Sequence, residues 1–389
     1  MKIKEKINIT QAGFQQGRGT RDHIFNMRNI IEKCREYNID LYCCFIDYSK
    51  AFDYVQYEAL WKIMVDMGFP VHIIKLIKSL YDEQTAAVKI NGETSEWFKG
   101  EQGVRQGCIL SPYLFNIYAE NIMRKMYYED HFDNFDSINI GGHNFPELRY
   151  ADDTVLLSTT PEGLEKLIMS VKRHSEDQNL FLNAKKTKIM KTDKSKQEPN
   201  IKINNENIEV VNEFQYLGTI ITQNGNIHRE IKRRCAMALQ KLKKMKKLWQ
   251  GTSKTTRIKL LRSCIFPIAT YGSETWTINK NAENILSSFE MKCYRNILKI
   301  PWVLKRTNKS ILDELKIESG WLVNTVKKRK LAYFGHIKRH QSLERTIFEG
   351  KMPNGRDRGR PKRRWSDDIK RDLVRPENSW EDGDGKRYL

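Results

Sequence analysis

Two adjacent carboxylates, Asp152 and Asp153, stand between two short apolar runs, residues 148–150 and 154–157. Both runs are rich in Leu, Val, Tyr and Thr and read as strands, so the acids sit where the chain reverses. A straight strand sends neighbouring side chains to opposite faces, whereas a tight turn can aim both at one point. Two carboxylates crowded onto an apolar hairpin repel each other unless a cation lies between them. Hard oxygen ligands of this kind suit Mg²⁺. Asp is also a common turn residue, and a pair of them in a turn can bind nothing. On these residues alone both readings stay open.

The elements around the pair suggest what would position it. Residues 41–47 form a continuous apolar run ending on a third acid, Asp47, the mark of a buried central strand. Helices are expected over 50–67, stopped by Gly68-Phe69-Pro70, and over 71–82, with Ile73, Ile74, Ile77, Leu80 and Tyr81 on one stripe. Asn91-Gly92 signals a hairpin. Ser111 and Pro112 read as N-cap and first residue of a helix to about 128, and Thr160-Pro161 opens another to about 178. Residues 186–190 read as a strand. This order is that of a split β-α-β, ferredoxin-like core, and the fold class is α+β. In such a core the strand ending at Asp47 can lie beside the Asp152–Asp153 hairpin. Three carboxylates near one point are costly without metal and make a two-metal site for phosphoryl chemistry plausible. Alternatively, Asp47 only caps the helix that follows it.

The net charge of +20 points to a polyanionic partner. It is concentrated: between 229 and 262 a single acid, Glu230, stands among thirteen Lys or Arg. Within that stretch Ile231, Cys235, Ala238, Leu242, Met245 and Trp249 form a helical stripe, with basic residues filling the other face. A merely solvated helix usually carries acids as well, so a nucleic-acid-binding face is favoured. Upstream come a polar linker (192–200), a small hairpin (201–203 with 208–210) and a strand over 214–221. Helices continue to about 298. Beyond Pro301 the chain is basic and reads as irregular, and residues 354–364 should be unstructured alone. The seven cysteines show no C-x-x-C spacing and suggest reduced thiols. The N-terminus lacks the apolar core of a signal peptide, and no apolar run is long enough to span a membrane.

Five stretches occur in a telling order: FIDYSKAFD (45–53), QGVRQGCILSPYLFNIY (102–118), YADDTVLL (150–157), LFLNAKKTKIM (180–190) and YLGTIIT (216–222). Together they closely resemble the reverse transcriptase of non-long-terminal-repeat, LINE-type retrotransposons. GFQQGRGTRDHIF (13–25) resembles the fingers motif just upstream. The resemblance implies a right-hand polymerase fold: partial fingers and a ferredoxin-like palm over 1–222, a helical thumb over 223–300, and a basic, partly disordered region over 301–389.

It also implies roles. Asp47, Asp152 and Asp153 would be the metal-binding catalytic carboxylates, holding two Mg²⁺ or Mn²⁺ ions. Phe52 would be the aromatic gate against a ribose 2′-hydroxyl, or else a core residue. Gln106 and Gly107 would lie over the incoming nucleotide. Lys186, or its neighbour Lys185, would sit near the leaving phosphate. Arg18 would reach the triphosphate, or only solvent. Lys232, Arg233, Lys243, Lys244 and Lys247 would follow an RNA–DNA hybrid. Arg358 and Arg360, with Lys362, Arg363 and Arg364, resemble an AT-hook; a basic tail or nuclear import signal is the other reading. The implied partners are an RNA template, a DNA primer or target, and deoxynucleoside triphosphates, without a membrane, in the nucleus or cytoplasm.

There are departures from the family pattern. The endonuclease domain and first fingers strands of such polyproteins have no counterpart here, and Phe14-Gln15-Gln16 stands where the family often has Phe-Arg-Pro. Residues 375–389 carry no resemblance. The expectation is therefore a fragment that binds a hybrid but extends it weakly; the alternative is an inactive remnant that only binds nucleic acid. The oligomeric state is not legible.

Overall fold

The computed structural model describes residues 5–130, 136–192, 199–353, 355–356 and 362–374. The chain forms two compact units interleaved along the sequence. The described residues within 1–23, 37–212 and 350–356 belong to the first, and those within 24–36, 213–349 and 357–389 to the second. Segment 223–300 thus shares the second unit with 301–349, while 350–356 returns to the first. Among the described residues no helix is long and apolar enough to cross a membrane.

The first unit is built on a five-stranded sheet: β1 (Tyr42–Ile46), β2 (Glu147–Tyr150), β3 (Asp153–Ser158), β4 (Lys188–Lys191) and β5 (Glu209–Val210), in the order β5-β4-β1-β3-β2. Neighbours among β4-β1-β3-β2 are antiparallel, which is the split β-α-β arrangement expected. The strand β1 is central and buried along its whole length, which explains its unbroken apolar run. The helices of this unit are the start of α1 (Thr20–Glu36), then α2 (Tyr57–Asp66), α3 (Val71–Tyr81), α4 (Ser111–Glu129) and α5 (Pro161–Glu176). Cys44, Ile46 and Leu156 on one sheet face pack with Met123 and Met126 of α4 and Leu164, Leu167, Ile168 and Val171 of α5. The Thr160 hydroxyl caps α5, accepting from the Gly163 amide at 3.0 Å.

Local expectations failed where tertiary bonds override local ones. The helix expected over 50–67 is split into a 3₁₀ turn, Ala51–Asp53, and α2. Lys50 takes a left-handed φ of 49°, and the Phe52 and Val55 carbonyls accept from the amides of Val104 and Gly103 instead of continuing a helical ladder. Leu110, not Ser111, is the N-cap of α4. On α3 only Ile74 and Tyr81 are buried, while Ile73 and Leu80 lie exposed. Residues 202–203 pair with 206–207, and β5 leaves that hairpin to run parallel to β4.

In the second unit, the strand expected over 214–221 is a hairpin, Glu213–Tyr216 with Thr219–Thr222. Leu217 and Gly218 both adopt positive φ, 46° and 76°, as a tight two-residue turn demands. Helix α6 (His228–Lys244) buries Ile231, Cys235, Ala238 and Leu242, the stripe read from sequence. The region beyond Pro301 is mostly helical rather than irregular, including α8 (Trp321–Arg339) and α9 (Trp365–Val374), which follow α7 (Lys280–Leu298). Leu322, Val326, Lys330, Tyr333 and Ile337 make the buried stripe of α8. The stripe is disguised because a lysine occupies a core position. Lys330 Nζ donates to the Trp276 carbonyl at 2.7 Å and pairs with Asp368 at 2.5 Å, which ties α8 to α9. Trp365 and Ile369 of α9 pack with Phe25, Tyr333 and Ile337.

Candidate active site

The hairpin β2–β3 closes through Ala151 and Asp152, with Tyr150 paired to Asp153. Ala151 has a φ of 57°, the left-handed region that a side-chain-bearing residue enters only when its surroundings hold it there. The holder is Gln11, which is buried. Its Oε1 accepts from the amides of Gly13 at 2.8 Å and Ala151 at 2.9 Å, and its Nε2 donates to the Ala151 carbonyl at 3.4 Å. Gly13 lies so close to the turn that a Cβ there would stand 2.3 Å from the Ala151 nitrogen. Asn116 of α4 donates to the Gly13 carbonyl at 2.8 Å. Beneath the turn, buried Arg149 bonds Glu120 at 2.7 Å and Glu147 at 3.1 Å. Sequence reading singled out the 13–25 motif but missed Gln11 and Asn116 as braces of the acidic turn. The available signal was a Gln-x-Gly ahead of that motif.

Strand β1 runs antiparallel to β3 with Ile46 opposite Thr154. The ladder ends there, with Asp47 the next residue after β1 and Asp153 the residue before Thr154. By strand alternation Asp153 lies on the face away from α4 and α5. Asp47 is not a helix cap, because Lys50 is the N-cap of the following turn. Its amide donates to Thr187 Oγ1 at 3.4 Å, its carbonyl accepts from the Asn183 amide at 2.8 Å, and its Oδ2 lies 3.5 Å from Lys186 Nζ. Burial holds the Asp152 carboxyl above the usual carboxylate range, and the charge of Asp47 adds to that. Asp153 is pushed up to about 6, by burial first and then by Asp152 and Asp47, even though it keeps an exposed edge.

Around the acids, Phe52 sits half-buried on the 3₁₀ turn with its ring stacked on Phe115, centroids 4.4 Å apart. The loop carrying Gln106 and Gly107 is anchored to this turn through Gly103, where a Cβ would stand 2.9 Å from the Asp53 carbonyl oxygen. Gln106 and Gly107 themselves are exposed, and Gly107 has a φ of 89° with open space before it. Lys186 is 68% exposed. Arg18 Nη1 donates to the carbonyls of Ile9 at 2.5 Å and Gln11 at 3.0 Å, so it braces the loop that carries Gln11.

In the second unit, Lys232, Lys243, Lys244 and Lys247 are exposed. Arg233 is engaged with Glu230 at 3.0 Å and the Gly218 carbonyl at 2.6 Å. The expectation of an unstructured 354–364 does not hold at its end. Arg363 pairs with Asp368 at 2.5 Å, and Arg364 with Asp367 at 3.1 Å and Glu36 at 3.3 Å, while Lys362 is exposed. Arg358 and Arg360 lie outside the described residues.

Residues 1–221 match the reverse transcriptase (RNA-dependent DNA polymerase) family. The chain belongs to the reverse transcriptase family. The RNA-directed DNA polymerase of the mobile element jockey from Drosophila melanogaster is 23% identical over 93% of this chain and 39% of its own length. The Pol polyprotein of the retrotransposable element R2 from Nasonia vitripennis is 24% identical over 58% of this chain and 22% of its own length. A transposon-derived protein of Caenorhabditis elegans is 28% identical over 61% of this chain and 88% of its own length. The chain thus spans well under half of the jockey and R2 proteins, and its relatives make it a reverse transcriptase of the LINE type. Among solved structures, Candida albicans telomerase in complex with a fragment of telomeric RNA is 11% identical with a TM-score of 0.46, covering 79% of this chain and 54% of that one. The fold is α+β, that of the right-hand polymerases, with the ferredoxin-like sheet as palm.

Reverse transcriptases use divalent metal ions, and the acids of this palm suit them. Asp47 Oδ2 accepts no hydrogen bond, and its nearest cation is the Lys186 ammonium at 3.5 Å. Asp152 and Asp153 are protonated more readily than free carboxylates because like charge and burial oppose their ionisation. Crowded like charges are relieved by a hard cation. Among the described residues no group of three His, Cys, Asp or Glu side chains is already placed to hold a metal ion.

Proposed function

We propose that this chain is the RNA-directed DNA polymerase of a LINE-type element, extending a DNA 3′-end on an RNA template with deoxynucleotides. Asp47, Asp152 and Asp153 are its metal-binding catalytic carboxylates. The observation that carries the reading is their crowding: Asp152 in a strained turn, Asp153 opening β3 beside it, and Asp47 one residue past the end of β1, close enough for its charge to act on both. Bound there, Mg²⁺ or Mn²⁺ would lower the pKa of the attacking hydroxyl and balance charge on the leaving pyrophosphate.

The chain's own residues do the positioning. Gln11 and Gly13 hold the Asp152 turn. Lys186, beside Asp47, offers a cation to the triphosphate. The Phe52 ring, backed by Phe115, closes the space where a ribose 2′-hydroxyl would stand. Gln106 and Gly107 offer an exposed polar loop to the nucleotide. Lys232, Lys243, Lys244 and Lys247 supply a face for an RNA–DNA backbone. The template and target place this work inside the cell, in the nucleus or cytoplasm.

The test is addition of a labelled deoxynucleotide to a DNA primer annealed to RNA. Addition that requires Mg²⁺ and only the nucleotide complementary to the template base is expected. Addition that ignores the template base, or that persists in chelator, would refute it.

A further inference from the structure

The second unit contains a cavity lined by none of the palm residues named above. It measures about 260 Å³, and Arg28 and Arg35 of α1, His228 at the start of α6, and Lys362 and Arg363 are among the residues that line it. Among the described lining residues a single acid, Glu32, faces these cations.

Two side chains of this wall each carry a buried donor that has no acceptor. Arg28 Nη2 donates to Thr219 Oγ1 and to the Ile220 carbonyl, each at 3.1 Å, but its buried Nε has no partner. His228 Nε2 lies 3.1 Å from Asn279 Nδ2, which can only donate, so the neutral ring carries its proton on Nδ1. That Nδ1 is likewise buried without a partner. A buried donor left unpaired bears the full penalty of its desolvation, and two in one cavity call for a ligand that only accepts.

Burial lowers the Arg28 pKa only to about 10, so the guanidinium keeps its charge at neutral pH. Glu32 offers little opposition. Its carboxylate accepts from the Trp365 amide at 2.9 Å and Thr277 Oγ1 at 3.3 Å, and burial pushes its pKa up to about 7.

We propose that this cavity binds a phosphate group, with Arg28 and His228 as inner donors and Arg35 and Lys362 as outer cations. Phosphate is acceptor-rich and anionic, and a guanidinium fork matches its geometry. The phosphate can come from the end or backbone of a polynucleotide, or be free in solution. All the residues named lie in the second unit, and the inference does not depend on the role of the three palm acids.

The experiment uses the full chain at fixed ionic strength. Inorganic phosphate is titrated by phosphorus NMR, and short RNAs with and without a 5′-phosphate are compared by fluorescence anisotropy. Saturable phosphate binding is expected, weakened at least tenfold by Arg28→Gln and by Lys362→Gln, and unchanged by Lys309→Gln on the surface. Arg28→Gln removes bonds to the hairpin and can unfold it, so exposed Lys362 provides the second variant, with thermal melting as the check on folding.

A preference for the 5′-phosphorylated RNA that Lys362→Gln abolishes identifies a polynucleotide as the source. A response to inorganic phosphate without that preference identifies free phosphate. Non-saturable binding, or equal affinity in wild type and Lys362→Gln, overturns the proposal. Asp152→Ala should keep phosphate binding intact, which separates failure here from failure of the polymerase reading.

Discussion

A carboxylate crowded by two others gives up its proton reluctantly, and the consequences for Asp153 can be measured. Its folded pKa of about 6 stands above the ~3.9 of an unfolded chain. The raised value favours folding at low pH, and that advantage disappears as pH climbs from about 4 through 6. Asp153→Asn should therefore raise the melting temperature of the metal-free protein at pH 7.5, with a gain that shrinks toward pH 4. The gain should be on the order of 1 kcal/mol, discounted because the residue keeps solvent contact. Mn²⁺ affinity should fall in the opposite sense, weakening as pH drops through about 6, since a cation needs the ionised form. A pH-independent melting difference would show that Asp153 is not crowded. Phe52 carries a second prediction. Phe52→Val should admit ribonucleotides, read as the ratio of dATP to ATP incorporation; an unchanged ratio leaves Phe52 as a packing partner of Phe115 only. The three acids stood out in the sequence because they fall within an ordered set of motifs that resembles a known family. Gln11 was not, because one glutamine amide carries no pattern until the turn it braces is seen.

The acidic turn is only as precise as the loop that packs on it. Gly13→Ala places a methyl group where the Ala151 nitrogen already lies, so the turn must shift. A displacement of this kind should slow nucleotide addition by roughly 10–100-fold while leaving hybrid affinity near normal. Gln11→Ala leaves the Gly13 and Ala151 amides unpaired and should cost roughly 1–3 kcal/mol of stability by melting or denaturant titration. Wild-type rates in Gly13→Ala would mean that the loop only fills space. The core of the sheet was legible from the order of apolar runs and helices, and the α6 stripe from its 3.6-residue periodicity; that Glu209–Val210 joins the sheet parallel to β4 was not. The breaks at 50–56 and 217–218 were not, because they depend on bonds from residues 103–104 and on two left-handed turn residues. The helix α9 was hidden for a related reason: its entry is a run of Arg, and two of those arginines are neutralised by Asp367, Asp368 and Glu36.

For the whole molecule, the net charge of +20 argues for a polyanionic partner, and part of that charge is neutralised within the fold. Arg149, Arg233, Arg363, Arg364 and Lys330 have acidic or carbonyl partners, whereas Lys243, Lys244 and Lys247 face solvent. Charge reversal of those three lysines to Glu should weaken RNA–DNA hybrid binding. It should also flatten the plot of log affinity against log salt by roughly one unit for each phosphate that the variant no longer neutralises. An unchanged slope would make that face merely solvated. Deleting the tail is the poorer test, since it removes buried Trp365 and with it part of the second unit's core. The most direct measurement is single-turnover addition of one deoxynucleotide to a DNA primer on RNA, comparing wild type with Asp152→Ala in Mg²⁺. This format reads chemistry even where processive synthesis is weak. The account predicts templated addition by the wild type, a loss of at least ~10³-fold in the variant, and hybrid affinity nearly unchanged; addition by Asp152→Ala at the wild-type rate would contradict it.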